Sequence, residues 1–288
     1  MRKRFKEIVT DIAGHDEKLV VLLGDISVYL FNDFKEQFPA RFYNLGICEN
    51  TLISVAAGLS AQGMHPIVHT IAPFITERSF EQIKLDLCYN LFGANIVSCG
   101  ASFDYAWDGA SHHSYADLAI LRLLPGMEVV QPGSVRELEI LFPALYNNGH
   151  PTYFRLSDHP HTLDLGDITF GKAVVLKDNH AKVTVMTAGP IAGNVVEACK
   201  DLSVNMVYFH TIKPIDTEVI QHFKKTKIIV VHDAFGLYEA IHEVPEISAS
   251  FHGLPDAFCD CYGTLNDIRM KLKLDVKGIR ETIVSNMR

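Results

Sequence analysis

No apolar run in the chain approaches the ~18 residues of a membrane-spanning helix. The opening residues MRKRFKEIVT are basic, but Lys6, Glu7, Asp11 and His15 interrupt the apolar core that a secretory signal requires. Both lacks lead to the expectation of a cytoplasmic protein without membrane partners. Positive charge is also scarce: 26 Lys+Arg stand against 34 Asp+Glu, a net charge of −8, and no basic arm is clustered. Nucleic acid is disfavoured as a partner, because its affinity rests on neutralising phosphates. The six cysteines, at 48, 88, 99, 199, 259 and 261, include no C-x-x-C pair, and the fourteen histidines no H-E-x-x-H. The thiols read as reduced and largely buried rather than disulfide-bonded. Cys259 and Cys261 lie in a strand-like FCDCY and are not read as a metal pair, so no metal ligand is expected. There is no internal repeat and no low-complexity tract.

What is present is ample core. The 288 residues are 48% hydrophobic and 21% charged, the balance of one large or two ordinary globular domains. Short apolar runs alternate with longer helical segments. Lys18–Gly24, Pro66–Thr70, Ala94–Cys99, Glu128–Gln131 and Thr152–Leu156 read as strands, with helices expected over Asn50–Ala61, Glu77–Asn90 and Val135–Tyr146. A second cycle begins near Phe170, with strands Lys182–Thr187, Asn205–Phe209 and Lys227–Val231 and a helix reaching about Leu202. Continuous Val/Ile/Leu strands separated by helices argue for α/β architecture with mainly parallel sheets flanked by helices. The aperiodic Ser157–Asp167 marks the connection, so two domains are expected, over 1–160 and 170–288.

One stretch carries chemistry. Arg41–Gly63, RFYNLGICENTLISVAAGLSAQG, places a single acid, Glu49, between a strand-like run ending at Gly46 and a helix of small residues. An acid at a helix start is stabilised by free N–H groups there and needs no function. The whole pattern, R-F-x-N-x-G-I-x-E followed by A-A-G-L-x-x-x-G-x-x-P, resembles the pyrimidine-binding domain of transketolase-type thiamine diphosphate enzymes. That resemblance implies that Glu49 is catalytic and cofactor-binding, sharing a proton with N1′ of the aminopyrimidine so that the cofactor's own 4′-nitrogen takes the C2 proton. T-I-K-P-I-D at Thr211–Asp216 is similar to the family's carboxy-terminal domain, so the likeness spans nearly the whole chain.

The same resemblance suggests further site residues. Trp107-Asp108-Gly109-Ala110-Ser111-His112-His113 resembles the family's D-G-P-T-H segment, which implies that Asp108 and His112 contact sugar hydroxyls and makes His112 a catalytic candidate. Asp-Gly is also a plain turn signal. His113 is a weaker substrate candidate, and Asp25, after the first strand, is another. Phe74 resembles the aromatic that stacks on the aminopyrimidine, with Phe80 as the alternative; Gln82 is expected to face structure. Arg155 resembles an arginine that grips a sugar phosphate, against the plainer reading of a salt bridge at a strand end. Gly100 and Tyr29 stand where the family usually carries phosphate-binding His and Ser. The segment VVHDAFGLYEAI, with His232-Asp233, departs from related chains.

Full transketolases begin with a diphosphate-binding domain carrying G-D-G and an Asn that helps hold Mg²⁺. Neither motif occurs here at a fitting spacing. The resemblance therefore implies the carboxy-terminal half of a split transketolase, working with a subunit that carries the diphosphate-binding domain and most of the Mg²⁺ ligands, in an α2β2 assembly. The implied reaction is transfer of a two-carbon ketol unit between sugars or sugar phosphates. Alternatives are an activity like 1-deoxyxylulose-5-phosphate synthase, a 2-oxo acid dehydrogenase β-type subunit, or a non-catalytic partner subunit.

Overall fold

The computed structural model describes residues 1–287. It is α/β, built on two mainly parallel sheets flanked by helices. The first sheet takes β1 (Leu19–Leu23), β2 (Phe42–Asn44), β3 (His65–Ile71), β4 (Ala94–Cys99), β5 (Glu128–Val130) and β6 (Pro151–Arg155). The second takes β7 (Val174–Lys177), β8 (Val183–Ala188), β9 (Asn205–Phe209), β11 (Lys227–Val231) and β12 (Ala249–His252). The short β10 (Thr211–Lys213) lies between β9 and β11 in the chain but joins the first sheet. Strand order is β10-β5-β6-β4-β3-β1-β2 in the first and β12-β11-β8-β9-β7 in the second. The central strands are buried along their whole length, which is why they read as unbroken apolar runs rather than alternating ones.

β10 departs from a clean division of the chain. It pairs antiparallel with β5, Thr211 opposite Val130 and Lys213 opposite Val129. Lys213 donates to the carbonyls of Arg122 and Leu124, at the end of the helix Asp117–Arg122, at 2.9 and 2.5 Å. An ammonium there satisfies carbonyls the helix leaves open. The T-I-K-P segment is therefore a clasp between sheets. The apolar core is likewise shared: one cluster runs from Leu22, Val68 and Ile96 through Leu118 and Leu121 to Met186, Val207 and Leu237.

Three local expectations are corrected. The helix expected over Glu77–Asn90 starts earlier, as Ala72–Glu77, breaks at Arg78–Ser79, and resumes as Phe80–Gln82 and a π-helical turn Ile83–Tyr89. Pro73 sits in the first turn, where its missing N–H costs nothing, so the helix begins directly at the end of β3. The helix expected to reach Leu202 is a 3₁₀ turn, Gly189–Ile191, followed by Ala192–Ala198. FCDCY is not a strand: it lies in an irregular loop, with Phe258 and Tyr262 exposed and both thiols half-buried.

Candidate active site

The parallel strands of the first sheet deliver their C-terminal ends to one edge, where ligands bind in open α/β sheets. Asp25 follows β1, Glu49 follows β2, Phe74 follows β3, the loop holding Asp108 and His112 follows β4, and Asp158 follows β6. The R-F-x-N-x-G-I-x-E pattern builds this edge step by step. Arg41 donates to the carbonyls of Ala13 and Asp16 at 2.9 and 2.7 Å and ties down the end of the helix Arg2–Ala13. Phe42 enters the core. The Asn44 amide accepts from the backbone N–H of Asp25 and Gly46 and donates to the Asp25 carboxylate at 3.0 Å, joining the ends of β1 and β2. Gly46 has φ +78°, a conformation that side chains disfavour, and turns the chain into the helix Glu49–Ala61.

Glu49 is in the first turn of that helix, yet it is only 3% exposed. Oε2 lies 3.4 Å from Nη1 of Arg78, and Oε1 is buried without a hydrogen-bond partner among the described residues. A buried carboxylate oxygen with no partner is costly and calls for an account. The Arg78 guanidinium also lies 4.0 Å over the Phe74 ring. On the other side, Phe74 meets His112 edge-on with centroids 5.0 Å apart, and Ser111 Oγ holds His112 Nδ1 at 3.0 Å. Tyr105 approaches His112 at 6.3 Å and donates its hydroxyl to Cys99 Sγ. Glu49, Phe74 and His112 are thus brought to one place. Phe80 is packed against the core instead, and Gln82 is half-buried with its Oε1 lacking a partner.

The other candidates separate. Asp108 is exposed beside Trp107 on a 3₁₀ turn at the rim. His113 points inward, 3% exposed and edge-on to Phe103 at 4.9 Å, and burial lowers its pKa. Its neighbour His112 is the one that faces the Phe74 ring. Asp25 is exposed on the edge, in the left-handed region at φ +57°. Gly100 is explained by its surroundings: φ is +79°, and a Cβ would meet the Tyr105 ring at 2.5 Å.

Arg155 is a correction. Its side chain is 0% exposed. Nε donates to Asp117 at 2.7 Å, Nη1 to Ser102 at 3.0 Å, and Nη2 to the carbonyl of Ser114. In this fold the guanidinium has no surface to offer a phosphate. Ser102 in turn donates to Asp233 at 2.8 Å, and Arg269 reaches Asp233 at 3.7 Å. His232 pairs with Gln131 at 3.0 Å. The unusual His232-Asp233 segment is therefore a buried polar joint between the second sheet and the loops of the first.

Arg78 and Tyr105 escape the sequence reading, and Asn44 enters it only as part of the R-F-x-N-x-G-I-x-E pattern, with no role of its own. Arg78 is within reach of that reading: four residues after Phe74 on a helix is the same face, but a helix expected to start only at Glu77 hides this.

The arrangement offers a buried proton-accepting oxygen, an aromatic face and an imidazole beside it, a set that fits a flat, basic heteroaromatic such as an aminopyrimidine. Among the described residues no group of three or more His, Cys, Asp or Glu could hold a metal ion, and no helix is long and apolar enough to cross a membrane.

Comparison with known proteins adds to the geometry. Residues 1–159 match the model of the transketolase pyrimidine-binding domain. The chain is similar to one of the subunits of an apulose-4-phosphate transketolase from Phocaeicola vulgatus, 31% identical over 98% of this chain and 95% of that protein. It is also similar to a 6-deoxy-6-sulfo-D-fructose transketolase subunit from a Clostridium species, 27% identical over 91% of this chain and 80% of that one. Among solved structures, a split-gene transketolase described as an inactive β4 tetramer superposes with a TM-score of 0.87 at 28% identity, covering 99% of this chain and 97% of that chain. A Campylobacter jejuni transketolase shares the fold, with a TM-score of 0.86 at 19% identity, and this chain covers 46% of it.

Proposed function

We propose, from the premise that the chain belongs to the transketolase pyrimidine-binding domain family, that it is the pyrimidine-binding half of a split transketolase that transfers a two-carbon ketol unit between sugars. The observation that carries this reading is the buried, unpartnered Oε1 of Glu49, whose other oxygen meets the same Arg78 guanidinium that lies over the Phe74 ring. Thiamine diphosphate, when bound, supplies the nucleophilic carbon of the reaction. This chain's part is narrower. Glu49 would hold the aminopyrimidine, its carboxyl able to share a proton with N1′. Phe74 would give that ring a face to stack on. His112, fixed through Nδ1 by Ser111, presents Nε2 to substrate hydroxyls. Asp108 stands at the rim as a second hydroxyl contact. His113 is left with a packing role.

The diphosphate and Mg²⁺ sites belong in this proposal to a partner chain, because the G-D-G and Asn motifs are lacking in this sequence. The names of the similar transketolase subunit and of the split-gene protein support a two-chain enzyme. An α2β2 assembly in the cytoplasm is proposed. A non-catalytic role is disfavoured by the convergence of Glu49, Phe74 and His112, since a burial penalty for an acid without chemistry is hard to sustain. The test is reconstitution with the chain that carries the diphosphate-binding domain, followed by ketol-transfer assays over a panel of ketose donors and aldose acceptors. Turnover that requires both chains and thiamine diphosphate supports the reading. A correctly assembled complex that binds the cofactor and transfers no ketol unit overturns it.

A further inference from the structure

The loop that carries Asp108 and His112 is closed at its base. Ser102 and Ser114 form an antiparallel bridge there, and the Ser114 N–H donates to the Ser102 carbonyl at 2.8 Å. The tip is a turn centred on Gly109. Its carbonyl accepts from the backbone N–H groups of His112, at 3.0 Å, and His113, at 3.3 Å. The place of Gly109 therefore fixes where the His112 side chain starts, while the Phe74 ring meets its far end. Gly109 is buried although its neighbours Asp108 and Ala110 are both exposed.

The group that covers Gly109 comes from the other half of the chain. A Cβ at this position would lie 2.6 Å from the Tyr262 ring and 3.1 Å from its hydroxyl oxygen. With φ at +73° a side chain is excluded twice, by the backbone and by that ring. Tyr262 belongs to the connection between β12 and the helix Leu265–Lys271. It is 72% exposed, so burial in a core does not account for its placement. What it does is press one edge of its ring onto the His112 turn.

The support behind Tyr262 is well tied. Phe103 and Ala106 of the loop join Leu265 and Ile268 of the helix in a small apolar cluster, against which Cys259 packs. Thr264 caps that helix. Its Oγ accepts from the Asp267 N–H at 3.2 Å, and its own N–H donates to the Asp267 carboxylate at 2.8 Å. Asp260 is paired with Lys271. The loop is thus held at its base by the apolar cluster and at its tip by Tyr262.

We infer that Tyr262 is a positioning residue. By bearing on Gly109 it holds the turn from which His112 projects, so the carboxy-terminal half sets the geometry of the substrate loop without touching substrate. The inference rests on the ketol-transfer reading for the role of His112; the brace is a property of the fold.

The test compares Tyr262→Ala with Tyr262→Phe in the reconstituted two-chain enzyme. Without the ring the tip must be ordered again at each binding event, and re-fixing the backbone of one residue is worth about a factor of ten. Tyr262→Ala should lose about that factor in kcat/KM for the sugars. Tyr262→Phe keeps the ring and should keep the wild-type value. C2–H exchange of bound thiamine diphosphate depends on Glu49 rather than His112, so it should be unaltered in both variants, as should the melting temperature. In a His112→Ala background, Tyr262→Ala should have no further effect, because it acts only through His112. Equal losses in the Ala and Phe variants would make the hydroxyl a substrate contact and overturn the inference. So would losses that add to those of His112→Ala, or exchange and melting temperature that fall together. A readout without turnover uses the full chain by itself. Trp107, its single tryptophan, lies two residues before Gly109 on the same turn. Its fluorescence anisotropy decay should show added nanosecond motion in Tyr262→Ala and none in Tyr262→Phe. Unchanged Trp107 motion in Tyr262→Ala overturns the brace. If Trp107 responds as expected while the reconstituted enzyme transfers no ketol unit with any sugar, the brace stands and the functional reading falls.

Discussion

Replacing Arg155 with alanine should cost stability rather than substrate affinity. The guanidinium is fully buried and ties the connection after β4 to the start of the helix Asp117–Arg122, holding Asp117, Ser102 and the Ser114 carbonyl. Its loss leaves the Asp117 carboxylate inside the fold with the Tyr153 hydroxyl, at 2.6 Å, as its one side-chain donor among the described residues. Breaking one partner of such a pair typically costs about 3–5 kcal/mol. For a chain of this size each kcal/mol lowers the melting temperature by about 2–4 °C, so a fall of roughly 6–20 °C is expected. Against a total stability of about 5–15 kcal/mol the protein is left marginal. Thermal melts by circular dichroism measure this directly. The double variant Arg155→Met with Asp117→Asn removes both charges together and should recover part of the loss, which a double-mutant cycle quantifies. If Arg155→Ala melts with the wild type and instead raises KM for phosphorylated sugars alone, the burial argument is wrong and the arginine is a phosphate ligand after all.

Acid should loosen the molecule. His69, His161, His210 and His232 are held near pKa 4 by burial, well below an ordinary histidine near 6.5. Their folded values lie below the unfolded one, so the stability they permit is present above pH 6.5 and is lost as pH falls toward 4. Asp104, pushed up to about 6, and Glu137, also raised by burial, act in the opposite sense but are fewer; urea midpoints that rise between pH 7 and pH 5 would refute this balance. Phe74→Ala should weaken cofactor binding to the reconstituted enzyme by removing a stacking contact worth about 0.5–1.5 kcal/mol, while Phe80→Ala should mainly lower the melting temperature; calorimetry on both separates them. The chain alone should bind thiamine diphosphate weakly and without dependence on Mg²⁺, and tight Mg²⁺-dependent binding in calorimetry would contradict the need for a partner chain.

Much of the fold is legible in the sequence because the central strands are buried on both faces. Ala94–Cys99, Asn205–Phe209 and Lys227–Val231 fall where their apolar runs end. The sites of failure have physical causes. The three-residue β10 is too short to carry a period, and its place in the other sheet is set by tertiary pairing with β5. FCDCY looks like a strand by composition, yet it is held as a loop against Phe103 and Leu265 by contacts from distant segments. Glu49 and Phe74 could be picked out because local pattern puts them at the ends of β2 and β3. The burial of Arg155 could not be foreseen, because its partners Asp117, Ser102 and Ser114 lie 38 to 53 residues away. A strand-end arginine looks the same in sequence whether it faces a ligand or a carboxylate beneath the loops.

The central claim is that Glu49 is an acid–base group rather than a helix-start acid. Glu49→Gln keeps the shape and removes the ability to share a proton. In the reconstituted enzyme one sample yields both quantities that matter, the melting temperature and the rate of C2–H exchange of bound thiamine diphosphate. The account predicts exchange slowed by about 10²–10⁴-fold, the usual cost of losing a general acid–base group, with the melt unchanged or slightly raised because a buried unpartnered carboxylate is gone. A helix-start role predicts a stability loss of about 0.3–1 kcal/mol. Wild-type exchange in a protein that merely melts earlier would contradict the account.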